Sequence, residues 1–143
     1  MSLQSDLYTY LRGLTTITDQ VAARIYPHNA PTSAAFPYIT YARISSTHEH
    51  HMTAAAGLSS QVIQFDVFAS TIAEAEAAAD ALRAAMDGFQ GGTMGSTAVR
   101  HIELTNERDT FLPPADDSEV GVYNISVDFS IWAAESVPTF PAP

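Results

Sequence analysis

Between Tyr123 and Ile131 the chain alternates without a break. Tyr123, Ile125, Val127, Phe129 and Ile131 fall on one side of an extended segment, and Asn124, Ser126, Asp128 and Ser130 on the other. This period of two predicts a strand with one buried face. Burying those five side chains is worth roughly 1.5–3 kcal/mol each, which makes this strand the expected anchor of the core. The same period recurs at Gln61–Phe68, where Ile63, Phe65 and Val67 point one way and Gln64 and Asp66 the other. Two further segments read as strands: Tyr38 to Ser46, rich in Tyr, Ile and Thr, and Ala98 to Asn106, where Ile102 and Leu104 alternate with His101 and Glu103.

The period changes elsewhere. Leu3, Leu7, Tyr10, Leu11 and Leu14 recur at three- and four-residue spacings and predict an amphipathic helix, followed by a short helical turn near Asp19 to Ala23. Ser70 and Thr71 followed by Glu74 form a capping-box pattern ahead of Ile72, Ala75, Ala79, Leu82 and Met86, a stripe that Gly88 ends. Pro27 to Pro37 carries prolines and small polar residues without a period and reads as a loop. His48 to Gly57 reads as a long hairpin tip, Gly91 to Gly95 as a turn, and Asp109 to Glu119 as an acidic connector. The order is helix, short helix, strand, strand, helix, strand, strand. The expected fold is α+β, an antiparallel or mixed four-stranded sheet packed by two main helices on one face. One domain is expected over residues 1–135, with a Pro-rich flexible tail over 136–143.

Composition narrows the class. With 46% hydrophobic and 15% charged residues over 143 positions, the chain has enough apolar material for one core and too little charge for wholesale disorder. Cysteine is absent, which excludes disulfides, thiolate metal sites and a cysteine nucleophile. Six Arg face sixteen Asp and Glu, a formal charge of -10, and the arginines are scattered, so phosphate-directed nucleic-acid binding is not expected. The start lacks a basic stretch followed by an apolar run, and the densest apolar segment, Ala73 to Ala85, is broken by Glu74, Glu76, Asp80 and Arg83. Neither a secretory leader nor a membrane span is expected.

Candidate chemistry is thin. His48, Glu49, His50 and His51 invite a metal reading, but a zinc-protease helix needs histidines at i and i+4, and i+4 is Met52. In a strand His48 and His50 would share a face. Gly91, Gly92 and Gly95 follow a helix and precede a strand, the reverse of a phosphate loop. Asp109, Asp116, Asp117 and Glu119 lack calcium-loop spacing. No catalytic residue, cofactor or resident metal is expected. His48, His50, His51, Ala78, Ala81, Asp116 and Asp117 are instead the candidate subunit or partner contacts. The alanine ridge of the second long helix and the sheet edge are the favoured patches, and replacing Ala78 or Ala81 by Glu is expected to alter assembly and leave the fold intact.

Several segments in succession resemble the tail-completion, or tail-terminator, family of long-tailed phages and prophages. They are Arg24-Ile25-Tyr26-Pro27, then Ala30-Pro31, then Phe36-Pro37-Tyr38-Ile39-Thr40-Tyr41. Val62 to Ala69 with its following Ala- and Glu-rich helix comes next, and Tyr123 to Trp132 closes the series. The resemblance implies a structural, non-enzymatic subunit of the virion tail or neck, made in a bacterial cytoplasm. It implies a homo-oligomeric, six-fold ring that caps the tail tube, ends its polymerisation and offers a head-tail joining surface. The implied partners are the tail tube protein and a head-completion or connector protein, with DNA passing through the ring without specific binding. A head-closure or connector neck protein, a small His-cluster metal-binding protein and a cytosolic ligand-binding domain stay open as alternatives.

Overall fold

The computed structural model describes residues 3–31, 34–52, 54–113 and 121–138. Its elements run α1 (Leu3–Arg12), α2 (Thr15–Val21), β1 (Ile25–Pro27), β2 (Tyr38–His51), β3 (Ala54–Ala69), α3 (Ile72–Met86), β4 (Gln90–Met94), β5 (Thr97–Leu112) and β6 (Val122–Ala134). The strands form one mixed sheet in the order β1-β2-β3-β6-β5-β4. Only β1 with β2 is parallel; the other neighbours are antiparallel.

The centre follows from alternation. Ile63, Phe65 and Val67 of β3 lie opposite Phe129, Val127 and Ile125 of β6, and all six are buried. Phe65 and Phe129 meet edge to face, with ring centroids 5.8 Å apart. Helices cover this face: Leu7 and Leu11 of α1, Ile17 and Val21 of α2, and Ala75, Leu82 and Met86 of α3 join one core with it. The cap of α3 forms as its sequence requires, with the Thr71 hydroxyl accepting from the Glu74 amide at 3.2 Å.

The expectation of four strands under two main helices is overturned: the sheet has six strands, and three helices accompany it. The two added strands are short edges whose sequences carry almost no strand signal. Backbone partners recruit β1. The Arg24 carbonyl accepts from Ile39 N and its Nε donates to the Pro37 carbonyl, both at 2.9 Å, while His28 N donates to the Tyr41 carbonyl. These bonds join the Arg24-to-Pro27 block to the strand that follows Pro37. At the other edge β4 contains Gly91 and Gly92 and forms because Gly95, at φ 57, turns the chain back onto Thr97–His101. A Cβ at Gly95 would run into the Asp6 carboxylate.

Two loop readings are also corrected. The segment from His48 to Gly57 is not a hairpin tip; β2 runs to His51 and β3 starts at Ala54, so the hairpin is strand almost to its end. Similarly β5 continues through Asp109 to Leu112 where a connector was expected. Asp116 and Asp117, and the expected tail from residue 139 onward, lie outside the described residues; Ser136 to Pro138 carry no helix or strand.

Candidate functional site

The two faces of the sheet differ in chemistry. Opposite the helices, β3 and β6 present Gln64, Asp66, Asn124, Ser126 and Asp128, which bond to one another rather than converge on open space. The Gln64 amide donates to Asp66 at 3.1 Å, the Ser126 hydroxyl donates to Asp66, and Asn124 donates to the Val67 carbonyl at 3.2 Å. Arg108 of β5 reaches Asp128 at 3.2 Å. At one end of the same face Tyr38 packs on Phe68 and Phe36, with centroids 5.1 and 5.5 Å away. Burial, with Tyr26 nearby adding to it, pushes the Tyr38 hydroxyl above its ordinary pKa; burial and Tyr8 do the same for Tyr41. Among the described residues Gln64, Asp66, Asn124, Ser126 and Asp128 are each engaged by a neighbour, although Oδ1 of Asp128 is buried without a partner.

Asp6 is the one fully buried carboxylate of the helical side. It sits on the inward face of α1 against the turn between β4 and β5, where the hydroxyls of Thr97 and Ser96 donate to its Oδ2. The Thr97 bond, with Ser96 adding to it, holds this carboxyl below the ordinary range although burial pushes the other way. The arrangement ties α1 to the β4–β5 turn and has the character of a structural lock.

The histidines predicted as contacts lie on the β2–β3 arm. His48 Nδ1 is 2.7 Å from Oε2 and 2.8 Å from Oε1 of Glu135. Gly57, at φ 78, permits the approach: its carbonyl accepts from Glu135 N at 2.9 Å where the β2–β3 register shifts. That shift falls between His48 and His50, so these two do not continue a regular ladder. His50 and His51 are exposed near the end of the arm. Among the described residues no three His, Asp or Glu side chains come together as metal ligands.

On α3 the predicted ridge divides. Ala78 is 1% exposed and packs into the subunit's own core, and Ala81 is half-buried against that core. The outward residues of this helix are Ala73, Glu76, Ala77, Asp80, Arg83 and Ala84, of which Ala77 is half-buried. Spacing marked the inward stripe Ala75, Ala79, Leu82 and Met86, but not that Ala78 belongs to it, because alanines on both sides blur its width.

A surface missed from sequence lies beside α3. Glu76 and Asp80 of the helix face Glu107 and Asp109 of β5 across an open cleft of about 480 Å³ floored by Ala79 and Ile125. None of the four carboxylates has an ion-pair partner among the described residues. The available signal was the acidic spacing Glu107-x-Asp109, which becomes a one-sided pair once the segment is known to be strand.

Comparison with known proteins adds two findings. A family model described as "Tail completion protein gp17" matches residues 5–134. Among solved structures, a chain of the "Virion of native gene transfer agent (GTA) particle" shares the fold with a TM-score of 0.71 at 18% identity, over 93% of this chain and 95% of that one. No curated protein sequence matches.

Proposed function

Because the chain belongs to the tail completion protein gp17 family, a structural family of phage tails, we propose that it forms a ring that caps the tail tube. The ring ends polymerisation of the tube and presents its outer side to the head connector, and DNA passes through it without specific contacts. The observation that carries this reading is the extent of the family match, which runs from α1 to the last residue of β6. The likeness in fold to a chain of a gene transfer agent virion supports it. So does the chemistry of the sheet face opposite the helices, where the polar side chains of β3 and β6 bond among themselves. We read the protein as non-catalytic and without a cofactor.

The net charge of -10 suits this role, since an acidic wall repels the phosphate backbone that slides past it. The test is to add the protein to growing tail tubes and image them by negative stain. A ring at one tube end with a narrowed length distribution is the expected result. Tubes that grow on unchanged, with no density at their ends, would remove the capping role.

A further inference from the structure

Strands β1 and β4 are too short to cover the strands they flank. β1 pairs with β2 only over Ile39–Tyr41, so among the described residues β2 from Arg43 to His51 has no strand neighbour on its outer side. β4 pairs with β5 only over Thr97–His101. Beyond it the Ile102 backbone bonds to Gly88 and Phe89, and the Leu104 amide is taken by Asp87 Oδ1 at 3.0 Å. From Asn106 to Leu112 no strand among the described residues pairs with the outer side of β5. Because β2 and β5 run in opposite directions, the two open edges occupy diagonal corners of the sheet.

Natural sheets usually blunt such edges with proline, lysine or a covering loop. Here β2 carries bulges at Arg43/Ser45 and His48/His50, but neither edge carries proline or lysine, and both expose large apolar side chains: Ile44 at 54% on β2, Phe111 at 49% and Leu112 at 45% on β5. Their ionisable residues differ in balance. The β2 edge holds Arg43, His48, His50 and His51 against one Glu49, and Arg43 has no ion-pair partner among the described residues. The β5 edge holds Glu107 and Asp109, which with Glu76 and Asp80 line the acidic cleft, while Arg108 is engaged by Asp128. Register puts Arg43, opposite Ile63, and Glu107, opposite Val127, on the helix-covered face of the sheet.

We propose that the β2 edge Arg43–His51 of one copy pairs antiparallel with the β5 edge Asn106–Leu112 of a second copy, which sets Arg43 beside the acidic cleft of its neighbour. Two different patches joined head to tail are what a closed ring requires. Rotation about a ring axis preserves strand direction and keeps every helix-covered face on the same side of the joined sheet. The diagonal placement of the edges makes the strands slope relative to that axis, as in a staggered barrel. This inference rests on the ring reading, and supplies the interface that reading lacks.

The native chain has no cysteine, so engineered pairs report without background. Two double variants place thiols on matching faces: Thr47→Cys with Thr110→Cys, and Ser46→Cys with Asp109→Cys. Each is oxidised at high protein concentration and with tail tubes that lack their terminal ring. At least one pair is expected to give a ladder of linked species ending at a closed ring, whereas single-cysteine chains stop at dimers. Independently, Arg43→Glu is expected to raise the concentration needed for half-assembly about tenfold, and adding Glu107→Arg to restore it. Rings on tubes without a ladder or any charge effect overturn the edge pairing and leave capping intact. A ladder without rings supports the pairing and counts against capping, and the absence of both overturns the two together.

Discussion

The centre of the sheet and the β2–β3 arm are continuous strands with the same backbone bonding, yet they are stabilised in different ways. Around Phe65 and Phe129 every second side chain is buried under the helices, and the ladder is held by the area it removes from water. Beyond Ile44 the arm has little apolar burial, its outer edge has no strand partner among the described residues, and its long-range side-chain tie there is the hydrogen bond between His48 and Glu135. The far half of β5 repeats this at the opposite corner, where Thr105 to Leu112 are all exposed. Strand structure in this protein therefore has two sources. One is a fold that needs its core, and the other is an extension that the isolated chain pairs on one side only.

Substitutions sharpen that contrast, beginning with the deepest. Ala78→Glu places a charge in a site with 1% exposure and is expected to abolish cooperative folding, seen as loss of the thermal transition by circular dichroism. Ala84→Glu, on the outer side of the same helix, should leave that transition within about 0.5 kcal/mol of the parent. Phe65→Ala removes half of the edge-to-face pair and opens a cavity, at an expected cost of about 3–5 kcal/mol by urea unfolding.

Asp6→Asn probes the lock between α1 and the β4–β5 turn and should cost about 1–3 kcal/mol at neutral pH. Hydrogen bonding lowers the folded-state pKa of Asp6, so its contribution is present above the unfolded carboxylate range. That contribution is lost as pH falls through the lowered folded value. The gap between parent and variant should accordingly narrow in acid, and a gap independent of pH would show that the charge of Asp6 is not what matters. A small effect is also expected in the arm: His48→Ala should cost at most about 1 kcal/mol, since His48 and Glu135 are both partly exposed. A loss as large as that at Phe65 would break the distinction between the two regions.

Legibility in the sequence followed the same divide. The central strands, α1 and α3 were readable because burial imposes a period, and the Thr71–Glu74 cap was readable because its geometry is local. The arm beyond Ser46 and the end of β5 were read as loops because exposed strands need no alternation, and their residues carry low strand propensity. Edges β1 and β4 were missed for another reason: three residues ending in proline, and five containing Gly91 and Gly92, become strands only when a neighbour offers its backbone. Among the candidate contacts, the sequence located the histidines on the β2–β3 hairpin but not the pairing of His48 with Glu135, 87 positions away. It also did not reveal that Ala78 turns inward.

By itself the sequence determined the apolar faces of the central strands and long helices, because hydrophobic period and capping are properties of neighbours along the chain. It also determined the family resemblance, carried by motifs in succession. Only the tertiary structure decided how many strands the sheet has, that Ala78 of α3 joins the inward stripe, and that two edges without a described strand partner lie at diagonal corners. Those features depend on where distant backbone groups and side chains meet, and no local pattern in the chain encodes that meeting.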